Sequence, residues 1–190
     1  IDACYEIGGG KVIVPEGTFL TGTIYMKDNV NLHIEENAIL KGSSSFEDYP
    51  DNKVNYVNSF THPGNGQTFG SKALIFAEGV RNVSITGKGT IDGNGDSSTF
   101  QLGNDSSPES RKRPCMLLFI DSKNIKVHDL NLRNSAYWLQ NYLGCDTLHL
   151  KGLNIYNQTN FNQDATDIDA SNVLIEDCII DADDDGICLK

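Results

Sequence analysis

Short runs of β-branched and other apolar residues, broken by Gly, Asn or Asp, recur along the chain. Examples are KVIVPEG, GTIYM, VNLHIEENAILKGS, KALIFAEGV and NVSITGKGTIDG. Such runs are typical of β-strands. Residues 1–7 suggest a helix, but no other stretch carries an apolar stripe with the 3.6-residue helical period. The pattern therefore predicts a fold that is almost entirely β.

The second half of the chain contains a repeat, seen in KNIKVHDLNLRNS, DTLHLKGLNIYNQ and SNVLIEDCIIDAD. Ile125, Leu148 and Val173 occupy matching places, 23 and 25 residues apart, and Val83 begins a similar unit. Sequence periods of 20 to 50 residues are typical of solenoids. Coils of about 24 residues with three short strands favour a right-handed parallel β-helix. A β-sandwich is the alternative, but it would show hairpin dipeptides and needs no fixed period.

Two polar segments interrupt the strand pattern, at about residues 44–72 and 94–114. Their Ser, Asn, Gly and Pro content predicts loops. Loops of this length are usually functional, so we expect them to wall one side of a groove. We expect residues 1–190 to form a single domain, the N-terminal coils of a truncated β-helix. The first residues are helix-like, and the last lie within a predicted strand.

The net charge of −11 argues against nucleic acid or an anionic membrane as a partner. No apolar run is long enough to span a bilayer. The five cysteines form an odd set without metal-binding spacing, and we expect mostly unpaired thiols packed as small apolar residues. We expect a monomer that needs neither a metal nor a cofactor.

The segment DADDDGICLK, residues 181–190, resembles the start of an EF-hand calcium loop. An EF-hand also needs a preceding helix and a glutamate at its twelfth position. The preceding NVLIEDCII alternates like a strand instead. We therefore interpret the calcium-loop match as accidental.

Stacking the last two coils at an offset of 21 residues brings acidic residues together. Ile168 then lies over Leu189 on the inner face, and Asp164 lies beside Asp184 and Asp185 on the outer face. The other outward pairs are Asp167 with Cys188 and Asp169 with Lys190. Crowded carboxylates raise the pKa of at least one member, which supplies the acid and base that glycoside hydrolysis requires. The alternative is that these aspartates only cap solvated turns.

These motifs resemble those of glycoside hydrolase family 28, the polygalacturonase-like pectin hydrolases. NQD at residues 162–164 resembles the family's N-T-D motif, and DDD at residues 183–185 resembles its G-D-D motif. The opening GGGKVIVPEGTFLTGTIYMKDNVNLHIEENAILKGS and the segment RNSAYW are also similar to family segments. The resemblance covers most of the chain, and it too implies a right-handed parallel β-helix.

The resemblance also implies roles for individual residues. Asp184 would be the general acid, and Asp164 and Asp185 would activate the attacking water of an inverting hydrolase. Asn162 would orient the site, and Trp138 would either stack on a sugar or belong to the core. Gln140 and Asn141 fall about one coil before Asp164, and we expect them to line the groove for a pectin-like, uronate-containing polysaccharide. Lys190 would either meet a carboxylate of this substrate or stay solvated. The resemblance further implies a secreted or periplasmic protein.

The chain departs from the family pattern in several places. Gln163, Ala165 and Thr166 replace the usual Thr, Gly and apolar residue, and Asp183 replaces a glycine. The resemblance implies a G-H-G histidine and an R-I-K basic pair, and we expect both after residue 190.

Two other functions compete with hydrolysis. A calcium-dependent polysaccharide lyase on the same fold would need an Arg or Lys base, for which the loop residues Arg111, Lys112 and Arg113 are poor candidates. A non-catalytic β-helix, such as an adhesin or a carbohydrate-binding stalk, would need neither Asp164 nor Asp184.

Overall fold

A computed structural model describes residues 1–52, 54, 56, 71–102 and 112–190. It begins with one short helix, α1 (Asp2–Glu6), as the sequence predicts. A 3-10 turn occupies Phe46–Asp48. The strands are β1 (Gly10–Val14), β2 (Gly17–Thr21), β3 (Ile24–Tyr25), β4 (Val30–Ile34), β5 (Ala38–Gly42), β6 (Ala73–Glu78), β7 (Arg81–Gly87), β8 (Thr90–Asp92), β9 (Cys115–Ile120), β10 (Lys123–His128), β11 (Asn131–Arg133), β12 (Gln140–Lys151), β13 (Asn154–Asn157), β14 (Thr166–Glu176), β15 (Ile179–Ala182) and β16 (Cys188–Leu189).

The strands form two parallel sheets whose neighbours are not consecutive in the chain. One sheet has the order β1-β4-β7-β10-β12-β9-β6-β3, with β14 joining β12 to β16, and the other has the order β15-β13-β11-β8-β5-β2. Each coil therefore returns to stack on the coil before it. The predicted all-β, right-handed parallel β-helix is confirmed.

The register of the stack agrees with the sequence repeat. Val83 pairs with Ile125, Ile125 with Leu148, and Leu148 with Val173. The long strands β12 and β14 differ from the predicted short strands, because each runs through two of the three strand positions of its coil. A register shift between Leu143 and Cys145 bends β12 at this point.

The core is a set of inward columns that run along the helix axis. One column contains Leu32, Ile85, Val127, Leu150 and Ile175, each paired with the next across the ladder. The first four are buried, with at most 2% of their surface exposed. Burying an aliphatic side chain of this size stabilises a fold by about 1.5–3 kcal/mol. The columns therefore hold successive coils together.

A second apolar cluster lies apart from these columns. It includes Phe76, Leu118, Trp138 and Leu143, and the partly buried Val54 and Tyr56 pack against it. These two residues belong to the first predicted loop, which therefore contacts the solenoid here. The parts of the predicted loops at residues 53, 55, 57–70 and 103–111 lie outside the described residues. Among the described residues of the two loops, no strand lies between Gly42 and Ala73 or between Asp92 and Cys115.

Stacked asparagines lie where three neighbouring strands of one sheet begin, directly before β4 and at the second residues of β7 and β10. Asn29, Asn82 and Asn124 all have positive φ, between 55° and 60°. Asn124 Nδ2 donates to Asn82 Oδ1 at 2.8 Å, and Asn82 Nδ2 donates to Asn29 Oδ1 at 2.9 Å. Asparagine suits this ladder because it tolerates the left-handed conformation better than most residues and carries both a donor and an acceptor.

All five cysteines are free thiols, as predicted. No helix within the described ranges is long and apolar enough to cross a membrane.

The two contributions of Asn82, its backbone conformation and its ladder bonds, can be separated. Asn82→Gly should remove the bonds but keep the turn, whereas Asn82→Ala also forces an alanine into the left-handed region, at a cost of about 1–2 kcal/mol. Greater freedom of the unfolded glycine chain offsets part of this difference. We therefore expect the alanine variant to be the less stable in urea unfolding followed by circular dichroism. An alanine variant as stable as the glycine variant would contradict this account.

Candidate active site

Backbone hydrogen bonds between three successive coils bring the predicted acidic residues together. Leu139 N donates to Asp164 O at 2.8 Å, and Ala165 N donates to Asp185 O at 2.8 Å. Three residues further along the same two coils, Asp167 pairs with Cys188 in the ladder between β14 and β16. The convergence of Asp164 and Asp185 is therefore fixed by the main chain, at the predicted offset of 21 residues.

Asp164 lies two residues before β14 and is buried, with 4% of its surface exposed. Its Oδ2 atom lies 3.4 Å from Lys190 Nζ, while Oδ1 accepts no hydrogen bond from an N–H or hydroxyl group of the described chain. Burial raises the pKa of Asp164; Lys190 opposes this effect, and Asp184 adds to it. The predicted raised pKa thus occurs, but burial contributes more to it than repulsion between carboxylates.

The strand pattern places Asp167 on the outer face, three residues after Asp164, and predicts no role for it. It is fully buried, and its Oδ1 atom forms an ion pair with Lys190 Nζ at 3.0 Å. Its Oδ2 atom has no N–H or hydroxyl donor among the described residues. Burial, followed by the charge of Asp164, raises the pKa of Asp167 to about 7. The alternation along β14 predicts that the side chain of Asp167 points outward, but it does not predict that this side chain is buried.

Lys190 lies between the two buried carboxyl groups. Its ammonium group is also 4.7 Å from the centroid of the Trp138 ring. Burial lowers the pKa of Lys190, but its hydrogen bond to Asp167 and the charges of Asp167 and Asp164 raise the pKa overall. Lys190 is therefore a permanent cation whose nearest partners are carboxyl groups of the protein itself.

Asp184 and Asp185 are exposed in the turn between β15 and β16, together with Asp183. This turn connects two strands, so the helix-flanked calcium loop is absent, in agreement with the sequence analysis. In the part of the chain that is described, no three His, Cys, Asp or Glu side chains are arranged to hold a metal ion. The side chains of both aspartates are therefore accessible from solvent.

Asn162 occupies a left-handed turn, with a φ of 52°. Its Nδ2 atom donates to the Tyr137 hydroxyl at 3.1 Å, and its Oδ1 atom lies 3.5 Å from Trp138 Nε1. These contacts connect Asn162 to the aromatic residues of the preceding coil. They agree with an orienting role more than with a reacting one.

Gln163, which departs from the family pattern, is a structural residue that the sequence analysis did not recognise. It is fully buried, and its Oε1 atom accepts from the amides of Thr159 and Asn160 at 2.8 and 2.7 Å. Its amide group donates to Ser135 O in the previous coil. Gln163 thereby shapes the turn that leads into Asp164.

Gln140 and Asn141 have opposite orientations, because successive residues of a strand point to opposite faces. Gln140 Nε2 donates to Thr166 Oγ1 at 3.0 Å, and its Oε1 atom accepts from the core residue Tyr142 at 2.9 Å. The expectation that Gln140 lines the groove is therefore corrected, because its amide is bonded inside the solenoid. Asn141 pairs with Asp167 across the ladder, and its buried Oδ1 atom has no partner in the described ranges.

A buried arginine and two stacked aromatic rings pack next to the acidic residues of the site. Arg113 is fully buried and donates to Ala136 O at 2.9 Å and to Phe161 O at 2.8 Å. Trp138 stacks on Tyr137 with 5.1 Å between ring centroids, and only 7% of it is exposed. Trp138 thus fits the core alternative. Arg113 is occupied by main-chain carbonyls, which disfavours it as a lyase base, and Arg111 lies outside the described residues.

The fold is a parallel β-helix that carries a group of carboxyl side chains on its outer face. The sequence model of Glycosyl hydrolases family 28 matches residues 4–190. The chain belongs to this family.

Individual relatives agree with this assignment. The chain is 28% identical over 188 residues to a probable polygalacturonase of Vitis vinifera, covering 96% of this chain and 37% of the relative. It is 36% identical over 96 residues to an exo-poly-alpha-D-galacturonosidase of Dickeya chrysanthemi, covering 50% of this chain and 16% of the relative. The chain thus spans well under half the length of these curated relatives.

The crystal structure of a hyperthermoactive exopolygalacturonase from Thermotoga maritima has a similar fold. Its TM-score is 0.81 at 24% identity, and the match covers 100% of this chain and 49% of that one. At this identity the similarity supports the fold alone.

The raised pKa of Asp167 predicts a specific pH dependence of stability. A free aspartate has a pKa near 3.9. Between about pH 4 and 7 the folded protein therefore holds a proton that the unfolded chain has released, so the contribution of Asp167 to stability is largest at low pH and is lost as the pH rises toward 7. One such proton corresponds to at most about 1.4 kcal/mol per pH unit. Asp167→Asn removes this titration.

We expect the free energy of unfolding of Asp167→Asn, measured in urea from pH 4 to 8, to rise relative to wild type as the pH increases. Asp177→Asn, at an exposed position, controls for the loss of one charge. Parallel curves for wild type and Asp167→Asn would contradict the prediction.

Proposed function

We propose that this chain supplies the catalytic carboxylates of an enzyme that hydrolyses glycosidic bonds in a pectin-type, uronate-containing polysaccharide with inversion at the anomeric carbon. The observation that carries the proposal is the backbone bond between Ala165 and Asp185, which holds Asp164 and the 183–185 turn on neighbouring coils. Membership of Glycosyl hydrolases family 28 supports the same reaction class.

Asp184 is proposed as the general acid that protonates the glycosidic oxygen. Asp164 and Asp185 would activate the water on the opposite face of the sugar ring. The positive charge of Lys190, 3.4 Å from Asp164, favours the ionised form that a general base needs. In inverting glycosidases the two working carboxyl groups are separated by about 6.5–9.5 Å, which leaves room for this water.

Substrate contacts are proposed for Asn162, Asn141 and Lys190. Asn141 offers an unbonded amide oxygen beside Asp167, and Asn162 is held by Tyr137. Gln140 would act indirectly, through the hydrogen bonds that fix the start of β12. The relatives named above act on polygalacturonan by their names, and we propose a galacturonan as the substrate of this protein as well.

We further propose that the protein works outside the cytoplasm, in the secreted or periplasmic location that the family resemblance implies. It would act there as a monomer, without a metal or a cofactor.

The reaction can be tested by a proton NMR time course with polygalacturonate and the purified protein. A hydrolase should give saturated products that appear first as the inverted anomer and then mutarotate. Unsaturated uronate signals would establish a lyase instead, and binding without any product would favour a carbohydrate-binding solenoid. The sizes of the first products would also distinguish endo from exo action.

The role of Asp184 can be tested by a matched pair of substitutions in one turn. Asp184→Asn should lower kcat by about 10²–10⁴-fold, the usual contribution of a general acid, with little change in folding or substrate binding. Asp183→Asn removes the same charge one residue earlier, where no catalytic role is proposed, and serves as the control. Reducing-sugar assays and circular dichroism provide the two readouts. Retained activity in Asp184→Asn would remove this residue from its proposed role.

A further inference from the structure

We propose that Asp167 is a positioning residue that holds Lys190 beside Asp164 and shares one proton with Asp164, so that Asp164 is kept ready to act as a base. The inference deepens the proposed function, because it rests on the role of Asp164 there.

The geometry makes Asp167 the anchor of Lys190. Asp167 lies within β14, where the ladder pairs it with Asn141 on one side and Cys188 on the other. Its contact with the ammonium group, at 3.0 Å, is shorter than the 3.4 Å contact from Asp164. A lysine side chain has four rotatable bonds, and a fixed carboxylate limits the positions of its charge. The position of the cation is therefore set mainly by Asp167.

The charges around the pair do not balance when both carboxyl groups are ionised. Lys190 supplies one positive charge to two buried carboxylates, whereas Asp184, the proposed general acid, is exposed to solvent. The thiols of Cys115 and Cys188 also interact with Asp167, but burial raises the pKa of both, so they remain neutral. Arg113 interacts with Cys115, and its guanidinium group is bonded to main-chain carbonyls. One retained proton balances the charges of Asp164, Asp167 and Lys190.

A shared proton also accounts for the carboxyl oxygens that no N–H or hydroxyl group satisfies. Asp164 Oδ1 and Asp167 Oδ2 are both buried in this way among the described residues. Leaving such atoms without a hydrogen bond costs about 1–3 kcal/mol each. When Asp167 carries the proton, its hydrogen bond to Asp164 lowers the pKa of Asp164. Asp164 then stays ionised, with a neutral donor on one side and an ammonium group on the other.

Two substitutions test the arrangement in different ways. Asp167→Asn keeps the shape and a donor but cannot release a proton, whereas Lys190→Met removes the cation. In protein labelled with 13C at the aspartate carboxyl carbons, wild type should show two coupled titration steps, one of them near pH 7. Asp167→Asn should lose the step near pH 7. Lys190→Met should move the Asp164 titration upward by about one pH unit or more, because an adjacent positive charge normally lowers an aspartate pKa by 1–3.

Activity profiles on polygalacturonate provide the second readout. In Asp167→Asn we expect kcat/KM at pH 5 to stay within about tenfold of wild type, with no change of rate that follows an ionisation near pH 7. In Lys190→Met the acid limb of kcat/KM should move upward together with the carbon titration of Asp164. Asp169→Asn, two residues along the same strand, is the matched control and should retain both wild-type titration steps.

The outcomes separate this inference from the proposed function. A titration near pH 7 that persists in Asp167→Asn, or an Asp164 titration unmoved in Lys190→Met, would overturn the inference whatever the activity. A uniform loss of activity with unchanged pH profiles would also overturn it. Damage to the fold lowers the rate at every pH without changing the pH at which kcat/KM falls. If both titrations change as expected but wild type does not hydrolyse the polymer, the coupling stands and the proposed function fails.

Discussion

In-register parallel stacking of the coils is the constraint on which the whole structure depends. A slip of one residue in any strand would turn its inward column to solvent and its outward carboxylates into the core. The columns that contain Leu32, Ile85 and Val127 prevent such a slip. No single coil contains the site, since Asn141, Asp167 and Lys190 come from three coils that only the ladder brings side by side. These side chains therefore come together only when the strands pair in this register.

The group formed by Asp164, Asp167 and Lys190 shows what this scaffold does to charge. Moving these groups from water into a nearly buried position carries a desolvation cost that ion pairing only partly offsets. Such a group is a poor source of stability, and its value is better sought in function. A lysine held by two carboxyl groups also differs from an exposed lysine as a ligand for uronate, since the polymer has to compete with partners inside the protein.

Much of the architecture could be predicted because it follows from periodicity. The spacing of Ile125, Leu148 and Val173 predicts the coil repeat. The offset that stacks Ile168 on Leu189 also places Asp164 next to Asp185. The inward position of Gln140 could also have been derived, since it shares strand parity with the core residue Tyr142. Its place one coil before Asp164 suggested a position in the groove instead.

Other features depend on contacts that no linear pattern records. Asp167 points outward as its parity requires, yet it is buried because Lys190 folds over it from the next coil. Gln163 replaces a threonine in the motif and carries a set of turn hydrogen bonds that only the folded loop defines. The burial of Arg113 likewise depends on Phe161, which is far from it in the sequence. Sequence reasoning identified the acidic residues but not their surroundings.

The asparagine ladder has a consequence for how such proteins diversify. Its rungs Asn29, Asn82 and Asn124 are separated by 53 and 42 residues, whereas Asn131 and Asn154 in adjoining coils are separated by 23. The strands that flank these longer segments nevertheless pair in register, β4 with β7 and β7 with β10. The segments between these strands can therefore change in length without displacing the coils that carry Asp164 and Asp185.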